Sequence, residues 1–278
     1  MPNPPPKTPS PPAGPDSVQA SYDEIAYDSR PVPASHIELL AVEATVGGVT
    51  PALIERCRVL ELGCASGGNL LPMADEFPES QFVGIDLSPK QIAEAKRVAT
   101  AAGLKNVKLG AANLMNIGGK LGQFDYIICH GVYSWVPPTV ADKVLDIFGE
   151  LLAPNGVGYL SYNTYPGWHA RQMVRDMLLR HTRGAKGLRE VMSRALELLK
   201  ARAATDAGAG HAFATVIRNE ARMELALGES YIAHEPLEEN LYPVYFETLV
   251  ERLAARGLTY VADLRPNPVR RRDRKSVV

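Results

Sequence analysis

The chain has 278 residues, of which 22% are charged, 46% hydrophobic and 7% aromatic, with a formal net charge of −1. That length suits one large domain, or one domain with an appendage, and is ample for a buried core. The charge balance gives no whole-molecule attraction to nucleic acid or to an acidic membrane. No apolar run approaches the roughly 20 residues that cross a bilayer, and the N-terminus lacks the apolar core of a signal peptide. The 3 cysteines, Cys57, Cys64 and Cys129, sit inside apolar stretches with no Cys/His pair at zinc-site spacing. They read as reduced thiols of a cytoplasmic protein. Fibrous, membrane, secreted and metal-ribbon classes are excluded, and no metal is expected.

Residues 1–16 are proline-rich, which fixes φ and removes backbone donors, and read as an extended tail. A helix is expected from Ser35 toward Val46, ended by Gly47-Gly48. Short apolar runs then alternate with helical stretches. Strands are expected at Val59 to Leu62, Gln81 to Ile85, Val107 to Leu109, Phe124 to Cys129 and Val157 to Tyr162. Ser88-Pro89-Lys90-Gln91 opens a helix with a cap, a first-turn proline and a capping-box glutamine, and Gly103 closes it. Another helix spans Thr139 to Leu152. Strands spaced by helices imply right-handed crossovers, so the fold class is α/β, a Rossmann-like doubly wound, mostly parallel sheet.

Beyond Pro166 the pattern turns helical, with helices expected at Trp168 to Arg183, Leu188 to Ala203, His211 to Leu227 and Tyr245 to Arg256. Leu258 to Ala262 reads as a strand. Arg171 and Arg175 on the first of these helices oppose Glu220 and Glu224 on the third, which fits either a docking surface or two solvated faces. The expected organisation is a tail (1–16), a sheet domain (17–167), a helical region (168–264) and a basic tail (265–278).

The strongest chemical signal is Glu61-Leu62-Gly63-Cys64-Ala65-Ser66-Gly67-Gly68-Asn69 after the first strand. Glycines there let backbone approach a ligand at the start of a helix. Asp86 follows the second strand, and in a doubly wound sheet both strand ends reach one crevice, where a carboxylate accepts hydrogen bonds from ribose hydroxyls. The site is therefore expected to hold a nucleoside. A dinucleotide fingerprint needs G-x-G-x-x-G, but Ala65 stands at the second glycine and no third is in register. That disfavours a nicotinamide oxidoreductase, and the lysine and hydroxyl of a P-loop are missing too.

Glu-x-Gly-x-x-x-Gly-Gly resembles the first motif of class I S-adenosylmethionine-dependent methyltransferases. The resemblance implies S-adenosyl-L-methionine as cofactor, held by Glu61, Gly63, Cys64, Ala65 and Gly67 at its methionine end and by Asp86 and Leu87 at the ribose. Asn113 and Leu114, where that superfamily contacts adenine, are the next candidates, although Asn113 also suits a turn cap. His130 and Tyr133 follow the fourth strand, beside the expected methyl group. The peptides His130 to Pro137 and Tyr162 to His169, with Tyr22-Asp23 and Tyr27-Asp28 earlier, resemble a bacterial family that carries a methyltransferase regulatory domain after its catalytic domain. Some of its members methylate protein lysines.

Methyl transfer from a sulfonium is an in-line displacement in which alignment and a dry site dominate. Tyr133, Trp135, Tyr162, Tyr165 and Trp168 could cage the acceptor, or the tryptophans could anchor loops. His130 is the candidate base, and it also lends itself to cofactor binding; Tyr133 is the second catalytic candidate. The acceptor is a protein lysine or a small molecule, and a non-catalytic cofactor-binding module is the non-enzymatic alternative. No basic stripe with interleaved aromatics points to nucleic acid. A homo-oligomer fits the sequence without being specified by it. Relatives of the family are longer, so the chain reads as a truncated product.

Overall fold

The computed structural model describes residues 29–205, 211–238 and 240–264. The proline-rich tail, the Tyr22-Asp23 and Tyr27-Asp28 pairs and the basic tail all lie outside the described residues. The short apolar runs form five strands: β1 (Arg58–Leu62), β2 (Gln81–Asp86), β3 (Val107–Ala111), β4 (Phe124–Cys129) and β5 (Leu152–Leu160). They pair in the order β3-β2-β1-β4-β5, every pair parallel. In register, Leu62 lies opposite both Ile85 and Cys129, so the carboxyl ends of the three central strands are level.

Helix α1 (Ile37–Val46) precedes the first strand, and the crossovers supply α2 (Leu70–Glu76), α3 (Pro89–Ala101) and α4 (Pro138–Leu151). At the start of α3, Ser88 Oγ accepts the Gln91 backbone N–H at 3.2 Å and Pro89 takes the first turn, as its sequence requires. Strand β1 is buried at four of five positions, so its apolar run serves two sheet faces. On one face Ile37, Leu40, Leu70, Met73, Phe82 and Tyr126 form the core, each fully buried large side chain contributing about 1.5–3 kcal/mol.

Two compact units result. Among the described residues, the sheet unit comprises 29–133, 139–162 and 244–264, and the helical unit 134–138, 163–205, 211–238 and 240–243. The latter is built from α5 (Trp168–His181), α6 (Leu188–Ala203), α7 (Ala212–Leu227) and α8 (Glu229–His234) around Val174, Leu178, Ala195, Leu199, Ala221 and Ile232. Its opposed charges meet inside it. Arg171 donates to Tyr231 Oη at 2.9 Å and stands 3.7 Å from Glu220, while Arg175 donates to the Glu238 carbonyl at 2.5 Å. Among the described residues no helix is long and apolar enough to cross a membrane.

The last helix among the described residues, α9 (Phe246–Ala254), belongs to the sheet unit. Arg252 pairs with Asp142 and Arg256 with Asp146, each at 2.6 Å, which ties α9 to α4. Leu258 to Ala262 forms no strand. This segment is held by side chains instead of a hydrogen-bond ladder: Tyr260 meets Phe246 edge-on at 4.9 Å, and Val261 crowds Gly47 so closely that a Cβ there would lie 2.4 Å away. β5 starts five residues earlier than its apolar run, and its pairing to β4 slips between Phe124 and Tyr126.

Candidate active site

The strand order reverses between β1 and β4, which opens a crevice at the carboxyl ends of the sheet, where ligands of such sheets bind. The glycine turn leaving β1 lines it. Gly63 (φ 73°) and Gly67 (φ 81°) occupy the left-handed region, as does Ala65 (φ 46°), at a cost an alanine bears only when held there. The hold is visible. Gly63 and Cys64 donate to the Ile85 carbonyl at 2.8 and 3.1 Å, and Gly67 donates back to the Cys64 carbonyl at 2.8 Å. A Cβ on Gly63 would lie 2.3 Å from Val132 Cγ2, so the residue beyond β4 closes directly over the turn.

Asp86, at the end of β2, joins this turn. Its Oδ2 accepts the Ala65 N–H at 2.8 Å and its Oδ1 accepts the Ser88 N–H at 2.9 Å. A carboxylate thus sits at the meeting point of the β1 turn and the start of α3, with half-buried Leu87 next to it. One strand over, Asn113 and Leu114 follow β3. Asn113 Oδ1 accepts the Met115 N–H at 2.9 Å and caps a single helical turn, so its carbonyl oxygen is committed to the cap. His130 leaves β4 with Nδ1 3.2 Å from Tyr159 Oη, and partial burial lowers its pKa, which keeps the imidazole neutral near pH 7.

The comparisons with known proteins bear on this geometry. Residues 59–156 match the family described as a methyltransferase domain, and residues 228–268 match that of a predicted methyltransferase regulatory domain. The uncharacterized protein RP028 of Rickettsia prowazekii is 35% identical over 232 residues, which is 84% of this chain and 93% of that one. The uncharacterized protein RP789 of the same organism is 38% identical over 242 residues, 87% of this chain and 44% of its own. The structure of PKMT2 from Rickettsia typhi in complex with AdoHcy superposes with a TM-score of 0.79 at 34% identity, covering 86% of this chain and 46% of that one. The chain belongs to this methyltransferase family. It spans about half the length of two of these relatives, 44% of RP789 and 46% of PKMT2.

Within the sheet unit, one expected catalytic residue lies in the interior. Tyr133 is fully buried, and its hydroxyl accepts a hydrogen bond from Arg252 Nη1 at 2.6 Å. That bond ties α9 to the segment leaving the fourth strand. Trp135 and Trp168 are buried in the helical unit, edge to face at 5.9 Å, with the Arg171 guanidinium 4.9 Å over Trp168. The two rings pack segments of that unit together.

Glu61 lies in β1 at 3% exposure. Its Oε1 accepts from Asn69 Nδ2 at 2.8 Å, its Oε2 has no hydrogen-bond partner, and burial pushes its carboxyl up to about 7. Burial also raises the thiols of Cys57, Cys64 and Cys129, all three of them free and unreactive by position. Sequence reasoning gave no site role to Asn69, Ser29 and Ser35, which meet around the turn. The only signal was that Asn69 directly follows Gly67-Gly68, and nothing in that spacing reveals its partners.

Proposed function

We propose that this chain is a methyltransferase that moves the methyl group of S-adenosylmethionine to a nucleophile, the amine of a protein lysine being the acceptor class. One observation carries the reading. A glycine turn with three left-handed residues and a carboxylate bonded to its backbone occupy the carboxyl ends of β1 and β2, beside the point where the strand order reverses. The family match and the AdoHcy held by PKMT2 support the choice of cofactor. In this reading the turn from Gly63 to Gly67 backs the methionine end. Asp86 accepts from the ribose hydroxyls, as a carboxylate with several lone pairs can. Leu87 and Leu114 flank adenine, and the Asn113 amide donates to a ring nitrogen.

The reaction forms a nitrogen–carbon bond as the sulfonium–carbon bond breaks, and the pair of electrons stays on the departing sulfur. The lysine must shed its proton first. His130, uncharged near pH 7, is able to receive that proton, with Tyr159 orienting its ring. A lysine acceptor rests on the resemblance to lysine-methylating relatives.

The test is thermal unfolding of the purified chain with S-adenosylmethionine, S-adenosylhomocysteine and NAD added separately. A ligand at about 100 times its dissociation constant adds about 2.7 kcal/mol, so the first two should raise the melting temperature and NAD should not. Methylation of lysine-bearing peptides from tritiated cofactor then tests the acceptor. Binding without turnover on any lysine, hydroxyl or small amine would make the chain a cofactor-binding module.

A further inference from the structure

The hydrogen bonds around the glycine turn converge on one side chain outside it. Asn69 is 8% exposed and uses both ends of its amide. Oδ1 accepts the Val32 N–H at 2.8 Å, while Nδ2 donates to Glu61 Oε1 at 2.8 Å and to Ser35 Oγ at 3.0 Å. Ser35 Oγ in turn donates to the Val32 carbonyl at 3.0 Å. A second tie lies one residue away, where the Gly68 N–H donates to Ser29 Oγ at 2.8 Å. A Cβ on Gly68 would lie 2.3 Å from the Ser29 carbonyl oxygen and 2.7 Å from the Arg30 nitrogen. Residues 29–35 therefore lie backbone to backbone on the turn, held at both ends.

This arrangement is costly unless it has a use. It buries a carboxylate with one oxygen unpartnered and commits the side chain of the N-cap Asn69 to distant partners, so that it makes no cap bond to its own helix α2. The same contacts brace a turn whose conformation includes a left-handed alanine. We propose that Asn69 is the positioning residue of the cofactor turn. By clamping residues 29–35 and the Glu61 carboxylate to it, Asn69 makes cofactor affinity depend on a segment that never needs to touch the reacting atoms. The inference rests on the methyltransferase reading above.

The clamp has a reversible polarity that a merely space-filling asparagine lacks. Asn69→Asp removes the donor to Glu61 and sets two carboxylates against each other. Adding Glu61→Gln restores a donor on the opposite side of the same bond. The measurement is the dissociation constant for S-adenosylhomocysteine by calorimetry, with unliganded thermal unfolding as a fold control and Asp86→Ala as a control for the site itself. Asn69→Ala is expected to weaken binding about tenfold or more, the scale of a lost hydrogen bond to a charged group. Asn69→Asp should be weaker still near pH 8, and the double variant should regain most of that loss.

Should Asn69→Ala fail to fold, Ser29→Ala removes the tie at Gly68 alone and should weaken binding about threefold, one shared bond's worth. Parent-like binding by Asn69→Ala, or no recovery in the double variant, with Asp86→Ala defective, overturns the clamp and leaves the cofactor reading standing. Parent-like binding by Asp86→Ala overturns the reading on which the clamp rests.

Discussion

Substituting Glu61 by Gln should change how the stability of the sheet unit responds to pH. The wild-type carboxyl is buried, has one unpartnered oxygen and titrates at about 7, against 4.5 for an ordinary glutamate. The native state therefore holds this proton more tightly than the unfolded chain. A raised carboxyl of this kind contributes stability that is fully present below about pH 4.5 and is lost as pH rises through about 7. A tenfold change in proton affinity corresponds to about 1.4 kcal/mol, so the loss across that window is about 3 kcal/mol. Glutamine keeps the acceptor for Asn69 but cannot ionise, so its stability lacks this component; the amide in place of Oε2 adds only an offset independent of pH. The stability of the variant relative to wild type should rise by about 3 kcal/mol between about pH 4.5 and about pH 8, or about 6–12 °C in melting temperature for a unit of this size. Urea unfolding of both proteins by circular dichroism at four pH values reads this directly. A difference constant to within about 0.5 kcal/mol over that range would refute the burial argument.

Two further outcomes follow from the site geometry. Asp86→Ala removes a carboxylate that accepts from Ala65 and Ser88, and it should weaken S-adenosylhomocysteine binding by about two orders of magnitude while the chain still unfolds cooperatively, as equilibrium dialysis with labelled ligand would show. Tyr133→Phe leaves Arg252 without its hydroxyl acceptor and should cost about 1–2 kcal/mol in chemical denaturation, while kcat for methyl transfer stays within about twofold of wild type. A collapse of kcat with unchanged stability would restore Tyr133 to catalysis.

Much of the fold was readable because it is written in short-range terms. The run Phe124 to Cys129 is a strand end to end, and the cap at Ser88 closes three residues away. The glycine turn and Asp86 announced their pairing through spacing alone, because two adjacent parallel strands of similar length must deliver their ends to one place. Asn113 stayed open between adenine contact and turn cap, and the structure shows the cap bond to Met115 while leaving its amide N–H₂ for the proposed contact.

Other features depend on partners that periodicity and spacing do not reveal. The hydrogen-bond partner of the Tyr133 hydroxyl is Arg252, 119 positions later, and the clamp on the turn depends on Val32 and Ser35, 37 and 34 positions before Asn69. Leu258 to Ala262 has strand composition but no ladder, since strand formation needs a neighbour's backbone as well as suitable side chains. The buried Glu61 makes the same point from the opposite direction. The sequence by itself determined the parallel α/β sheet, the glycine turn and the acid beside it, because these follow from local propensity and the pleat. Tertiary structure alone decided which side chains brace that turn and which polar groups lose their water, because burial and hydrogen-bond partnership are settled only when distant segments pack.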